Sequence, residues 1–279
     1  ETEISDAVDR FTEEYLDSIT GYHSVETAYL KFIVSVIKRS LKYIVGRLSL
    51  EFAQSDFVPV RCELGIGDTD GMPAIEIPIA ENFKITLNGT VDRLDSWNGY
   101  IRIIDYKTGS RSFKLPDILF GQNMQMLIYL YAVSKSSEFG GIPAGILYMP
   151  AKRNPNSAAS ERRMNGLILN DKNVHNAMEK ENRGEFVPRL TEKSESFLSD
   201  DDFKKIFAFI DLKLKQAGKR IISGDIAASP VDGIDSPACK YCDFGAICRK
   251  KDEKHDCVVR MKNEQVMEII DGEMNENGV

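Results

Sequence analysis

The chain has 279 residues, 42% of them hydrophobic and 28% charged, enough apolar material for one large core and too much for a disordered chain. No apolar run reaches the length of a membrane span and no secretory signal opens the sequence, which points to a cytoplasmic protein; the absence of a methionine before Glu1 reads as a piece of something longer. The formal net charge of −7 weighs mildly against a nucleic-acid partner, although a cleft can be locally basic on an acidic protein.

Helical periodicity covers residues 4–19 and 24–52. In the second stretch Phe32, Val36, Ile37, Leu41 and Ile44 recur at three- and four-residue spacing between lysines and arginines, the pattern of an amphipathic helix lying on a core. Ser24, ahead of Glu26 and Thr27, marks its N-cap region. From Pro59 the texture changes: 60–65, 74–79 and 83–95 are rich in β-branched residues, bounded by Gly, Pro and Asp, and read as strands. Trp97-Asn98-Gly99-Tyr100 reads as a hairpin turn with 100–108 as the returning strand. Next come an apolar helix over 121–135, a strand over 145–150, a polar loop over 151–160, a strand over 162–169 and a long helix over 200–222 stopped by Gly224. The acidic, Gly/Asn-rich stretch after Glu268 is expected to fray. The layout is one domain over 1–279: a helical segment (1–56), an α/β core (57–226), a cysteine-rich segment (227–260) and a tail (261–279).

The hairpin carries the chemistry. Gly89-Thr-Val-Asp92-Arg-Leu-Asp95 runs through Asn98-Gly99 into Ile-Ile-Asp105-Tyr-Lys107-Thr-Gly109. Asn-Gly signals a two-residue type I′ turn that pairs Trp97 with Tyr100 and so sets Asp92 opposite Asp105. Opposed side chains sit roughly 4.5–5.5 Å apart at Cβ, where like charges repel. A divalent cation between the aspartates, with Lys107 on the same face of the strand, would explain why the pair is tolerated. Two carboxylates and a phosphate oxygen are hard ligands suited to Mg²⁺ or Mn²⁺, and the lysine could orient an attacking water or stabilise developing charge. Against this stands an exposed strand face on which Asp92 and Asp105 merely flank Arg93, Arg102 and Lys107 in solvated pairs.

The two halves of this hairpin resemble the active-site hairpin of RecB-type PD-(D/E)XK nucleases, with Val-Asp92 where Pro-Asp is more usual. Gln125-Met-Leu-Ile-Tyr129 resembles the Gln-x-x-x-Tyr motif of the same group, and Phe57-Val-Pro-Val-Arg-Cys-Glu63-Leu-Gly resembles the strand preceding the hairpin in AddB-type helicase–nuclease subunits. The resemblance implies a restriction-endonuclease-like α/β fold, a central mixed sheet flanked by helices, with N-terminal helices and a C-terminal cysteine segment around it. It implies a metal-dependent DNA exonuclease in double-strand break repair, working beside an AddA-like helicase–nuclease subunit on DNA single strands from unwound duplex. Asp92 and Asp105 would bind Mg²⁺ or Mn²⁺ with a backbone carbonyl from Tyr106 or Ile104; Lys107 would position the water; Gln125 and Tyr129 would hold the strand; Glu63 either lines the site or is an ordinary edge-strand glutamate. An upstream metal-binding histidine common in the family has no counterpart here: His23, His175 and His255 all lack the context.

Cys239, Cys242 and Cys248 follow a Cys-x2-Cys-x5-Cys spacing. Thiolates that close favour zinc or an iron–sulfur cluster, and the spacing is similar to the C-terminal [4Fe–4S] staple of AddB-like nucleases, whose fourth cysteine lies far upstream. Cys62 reads as half-buried and Cys257 as a possible substitute ligand, so a cluster in this chain is expected to be incomplete or absent. Alternatives from other classes are an inactive nuclease-like DNA-binding or scaffold module and a zinc-binding interaction domain.

Overall fold

A computed structural model describes residues 2–19, 27–67, 71–109, 112–151, 159–191, 194–234, 237–250 and 254–278. Helices α1 (Thr2–Ser18) and α2 (Ala28–Gln54) are tied together by Lys38 and Lys42 on the acidic side chains of Asp9 and Glu13. Thr27 caps α2, its hydroxyl oxygen accepting from the Leu30 N–H at 3.2 Å; Ser24 and His23 lie outside the described residues.

Strand β1 (Val58–Ile66) is followed by a separate hairpin, β2 (Ile75–Ala80) and β3 (Phe83–Leu87), then by β4 (Gly89–Trp97) and β5 (Tyr100–Lys107). A 3-10 turn (Leu115–Phe120) leads to α3 (Gln125–Ser134), β6 (Ile142–Pro150), the short α4 (Ala159–Arg162), β7 (Asn165–Leu169), α5 (Lys172–Met178) and β8 (Phe197–Leu198). Helix α6 (Asp200–Ile222) comes next, then the two-residue strand β9 (Val231–Asp232), α7 (Gly245–Cys248), β10 (Asp256–Cys257) and α8 (Asn263–Glu276). The main sheet has the order β1-β4-β5-β6-β7-β8. It is mixed, since β5 pairs with β6 and β7 with β8 in parallel while the other neighbours are antiparallel. Ile103, Ile104, Leu127, Leu130, Leu147 and Ile168, all fully buried, make one continuous core between this sheet and the helices on it. No helix among the described residues is long and apolar enough to cross a membrane.

Helix α6 has the expected bounds because its ends are written in the sequence. Ser199 and Asp202 form a capping box, each side chain accepting from the other's backbone N–H, three aspartates open it and Lys219 and Arg220 close it. Gly224 stops it at φ 75°. Elsewhere the structure corrects the reading. The single strand expected over 83–95 breaks at Asn88, and its first half pairs with β2 instead of joining the main sheet. The helix expected from 121 begins at Gln125, because Gly121 and Asn123 both take positive φ and form a turn that α-helix cannot include. Arg162 ends a helical turn, and the strand expected from there starts at Asn165. Cys62 is exposed, since β1 is an edge strand. The stretch expected to fray is helix α8, which buries Val266, Met267 and Ile270; one-turn spacing of apolar positions outweighs its Gly/Asn-rich composition.

Candidate active site

The β4–β5 turn has φ 47° at Asn98 and 82° at Gly99, both positive as a type I′ turn requires. Trp97 pairs with Tyr100, Asp95 with Arg102 and Arg93 with Ile104, and one further step in the same register sets Asp92 against Asp105. Asp92 Oδ2 accepts from the Tyr106 N–H at 2.9 Å. Asp105 is buried, and its Oδ2 lies 2.5 Å from Lys107 Nζ. The two carboxylates thus each hold one compensating group from the strand opposite or adjacent.

The row continues across the sheet. On β1, Cys62 pairs with Arg93 and Leu64 with Val91, which leaves Glu63 level with Asp92. Glu63 is exposed and has φ 51°, a left-handed conformation rare in a non-glycine strand residue and of the kind found at functional sites. On β6, Tyr148 pairs with Asp105, and on β7 Asn165 pairs with Tyr148. Lys107 Nζ lies 5.5 Å from the centre of the Tyr148 ring.

Alternation sends the residues between these to the other face, where they meet α2. Arg93 Nη2 donates to Glu51 Oε1 at 2.9 Å and to Asp95 Oδ2 at 2.9 Å. Arg102 donates through Nη2 to Glu51 Oε1 at 2.6 Å and through Nε to Asp95 Oδ2 at 2.9 Å. All four side chains are within 1% of complete burial. Burial opposes the charge on Arg93, but the Asp95 and Glu51 carboxylates outweigh it and hold its pKa above the ordinary arginine value. Arg93 Nη1 also donates to the Tyr106 hydroxyl at 3.1 Å, whose pKa burial raises in spite of that guanidinium. Solvated pairs on an exposed strand face are therefore not what Arg93 and Arg102 form. They belong to a buried four-charge network behind the hairpin.

Gln125 and Tyr129 sit one turn apart on α3, Gln125 Nε2 donating to the Tyr129 hydroxyl at 3.2 Å. The Tyr129 ring lies directly over Gly89, where a Cβ would come within 2.5 Å of the phenol oxygen. That contact seats the helix motif at the start of the strand that carries Asp92. Gln125, Tyr129 and Tyr148 line a cleft of about 840 Å³ beside the carboxylates.

Among the described residues no three His, Cys, Asp or Glu side chains converge to hold a metal. The hairpin nonetheless fits a hard divalent cation: Mg²⁺ keeps several waters and needs one or two carboxylates completed by substrate phosphate, and Asp92, Asp105 and the Tyr106 carbonyl are such a partial set. The three sequential thiols fit less well. Burial, then Cys242, Asp232 and Cys248 nearby, raise the pKa of Cys239; Cys257 donates instead to the His255 carbonyl at 3.7 Å. A [4Fe–4S] cluster takes four thiolates, and the described residues do not assemble them. His175 is buried with Nε2 2.8 Å from the Pro188 carbonyl, and His255 Nδ1 lies 3.2 Å from Asp232; both are far in the fold from the hairpin carboxylates by the partners they keep. Sequence reasoning missed Tyr148 and Asn165, which look like ordinary strand residues until the parallel β5–β6 pairing brings them level with Asp105.

A sequence model described as the PD-(D/E)XK nuclease superfamily matches residues 1–249. An ATP-dependent helicase/deoxyribonuclease subunit of Clostridioides difficile is 29% identical over 94% of this chain and 26% of its own length. The protein of the same name in Caldanaerobacter subterraneus subsp. tengcongensis is 29% identical over 98% and 26%, and that in Alkaliphilus oremlandii 30% identical over 96% and 27%. The chain thus spans about a quarter of the length of these relatives. With the mixed sheet, the paired hairpin carboxylates and the match over most of its length, the chain belongs to the PD-(D/E)XK nuclease superfamily.

Proposed function

We propose that this chain is a divalent-metal-dependent deoxyribonuclease domain that cleaves phosphodiester bonds of DNA single strands exonucleolytically, within a helicase–nuclease that processes broken duplex. The observation that carries the reading is the register that sets Asp92 against Asp105 with Lys107 Nζ 2.5 Å from the second carboxylate. The name the relatives carry, that of a helicase/deoxyribonuclease subunit, supports the DNA substrate and a partner of AddA type. Asp92, Asp105 and the Tyr106 carbonyl would hold Mg²⁺ or Mn²⁺, which supplies Lewis-acid chemistry at the phosphate when bound. Tyr106 fixes Asp92 through its backbone N–H. Lys107 sets its ammonium in direct contact with Asp105; there it offsets carboxylate repulsion and can orient a water toward the phosphorus. Gln125 and Tyr129 hold the strand, and Glu63 borders it from β1. Cys239, Cys242 and Cys248 have no step in this chemistry.

The test is degradation of end-labelled single-stranded DNA with Mg²⁺ or Mn²⁺ by the chain and by Asp105→Ala and Lys107→Ala variants that keep its unfolding transition. Loss of a catalytic electrostatic contact costs about 10²–10³-fold in rate, and each variant is expected to fall at least that far. Cleavage that persists in Asp105→Ala, or metal binding by calorimetry that does not change in it, would sink the reading in favour of an inactive scaffold.

A further inference from the structure

The cleft beside the hairpin has a composition that stands apart from the rest of the chain. The sequence carries 43 acidic against 36 basic side chains, yet no described Asp or Glu lines this cleft, while Lys213 and Arg220 do. These two are seven residues apart on α6 and so share one face of the helix. Their acid partners stand outside the lining: Lys213 Nζ reaches Glu273 at 2.5 Å and Arg220 reaches Asp225 through Nε at 2.6 Å. A guanidinium engaged through Nε keeps its terminal N–H groups for a second acceptor. Between the cations Gln216 presents an amide, and Asn88 presents another from the opposite wall.

The floor is aromatic at both ends. Tyr148 is the register partner of Asp105, so this end abuts the carboxylates. At the other end Phe120 is half-buried in the lining but, unlike Leu119 and Met124 beside it, does not pack against the central core. An aromatic ring left uncovered by its own core, between cations and amides, suits a partner with flat faces, hydrogen-bonding edges and anionic linkers. The volume, about 840 Å³, lies toward the upper end of ligand sites.

We propose that this cleft seats the nucleotides of the single strand that flank the scissile phosphate, with Arg220 and Lys213 on the phosphates, Phe120 stacked on a base, and Gln216 and Asn88 on base edges. The inference rests on the nuclease reading for its direction but not for its test. On an acidic protein the strand is then drawn in by one local reversal of charge, and Tyr148 hands it from the cleft to the carboxylates.

The experiment measures binding of a fluorescein-labelled oligothymidylate to the chain in EDTA by anisotropy, over a series of salt concentrations. Arg220→Gln alters an exposed side chain and Phe120→Ala one outside the core, and each is paired with a thermal melt to establish that it folds. Arg220→Gln is expected to flatten the slope of log affinity against log salt by about 0.7, the contribution of one phosphate contact on a single strand. Phe120→Ala is expected to weaken binding about 5-fold or more through lost stacking, with the slope unchanged. Asp105→Ala is expected to bind as the parent does. An unchanged slope in Arg220→Gln, unchanged affinity in Phe120→Ala, or no binding by the parent chain would overturn the proposal. Cleavage by the parent with binding indifferent to these substitutions would remove the cleft and leave the nuclease; binding that responds to them without any cleavage would do the reverse.

Discussion

Gly89 illustrates how one residue without a side chain can set the position of a motif. A Cβ there would meet the Tyr129 ring at 2.5–2.8 Å, closer than real carbon contacts allow, and the obstruction is a ring held on a packed helix. Gly89→Ala is therefore expected to destabilise the fold by about 1–3 kcal/mol, the usual cost of an overfilled site. In a chain that also carries Tyr129→Ala the cost should largely vanish, a coupling within the roughly 0.5–3 kcal/mol seen for touching residues. Urea unfolding of the four chains measures it, and additive effects would rule the contact out. The same scale separates what the sequence discloses from what it conceals. The Asp92–Asp105 opposition was legible because a two-residue Asn-Gly turn dictates every pair behind it. The left-handed backbone of Glu63 was not, because a conformation that strands and loops reject leaves no mark on residue type.

At the scale of elements, α2 is fastened to the hairpin by charge. Glu51 meets Arg93 and Arg102 across 42 and 51 residues of sequence, and the network continues through Arg93 to Tyr106, whose backbone holds Asp92. Nothing in the apolar-looking run around Glu51 announces this, because partners so distant have no periodicity to share. Two guanidiniums and two carboxylates balance inside the protein; removal of one carboxylate leaves an uncompensated buried cation. Glu51→Ala is thus expected to cost about 3–5 kcal/mol, the range for breaking a buried ion pair from one side, whereas a surface glutamate would stay within about 0.5 kcal/mol. A small shift in the urea midpoint would mean that the network is hydrated rather than dry. The placement of α6, by contrast, was readable to the residue, because its cap, its charge gradient and its terminal glycine are all local signals.

The whole molecule closes through α8, the element that composition most obscured. Its acidic residues turn outward, Asp271 and Glu273 engaging Lys205 and Lys213 of α6, while Ile270 is completely buried in the same core cluster as the sheet. The helix also packs against the 3-10 turn Leu115–Phe120, so it braces two walls of the cleft from behind. If the segment is integral, Ile270→Ala should cost about 2–5 kcal/mol, as buried isoleucine truncations do; a frayed tail would register almost nothing. Glu51 and Ile270 stand near opposite ends of the chain and have no partner in common, one answering to the hairpin arginines and the other to the central core. Their combined effect therefore tests cooperativity: in one folding unit both substitutions lower the same transition, and their costs add to within about 0.5 kcal/mol. Calorimetry of the double variant decides the matter. Two transitions, one following Glu51 and the other following Ile270, would mean that the helical segment and the α/β core unfold separately, and that a change on α2 could loosen the hairpin's support while the cleft remained intact.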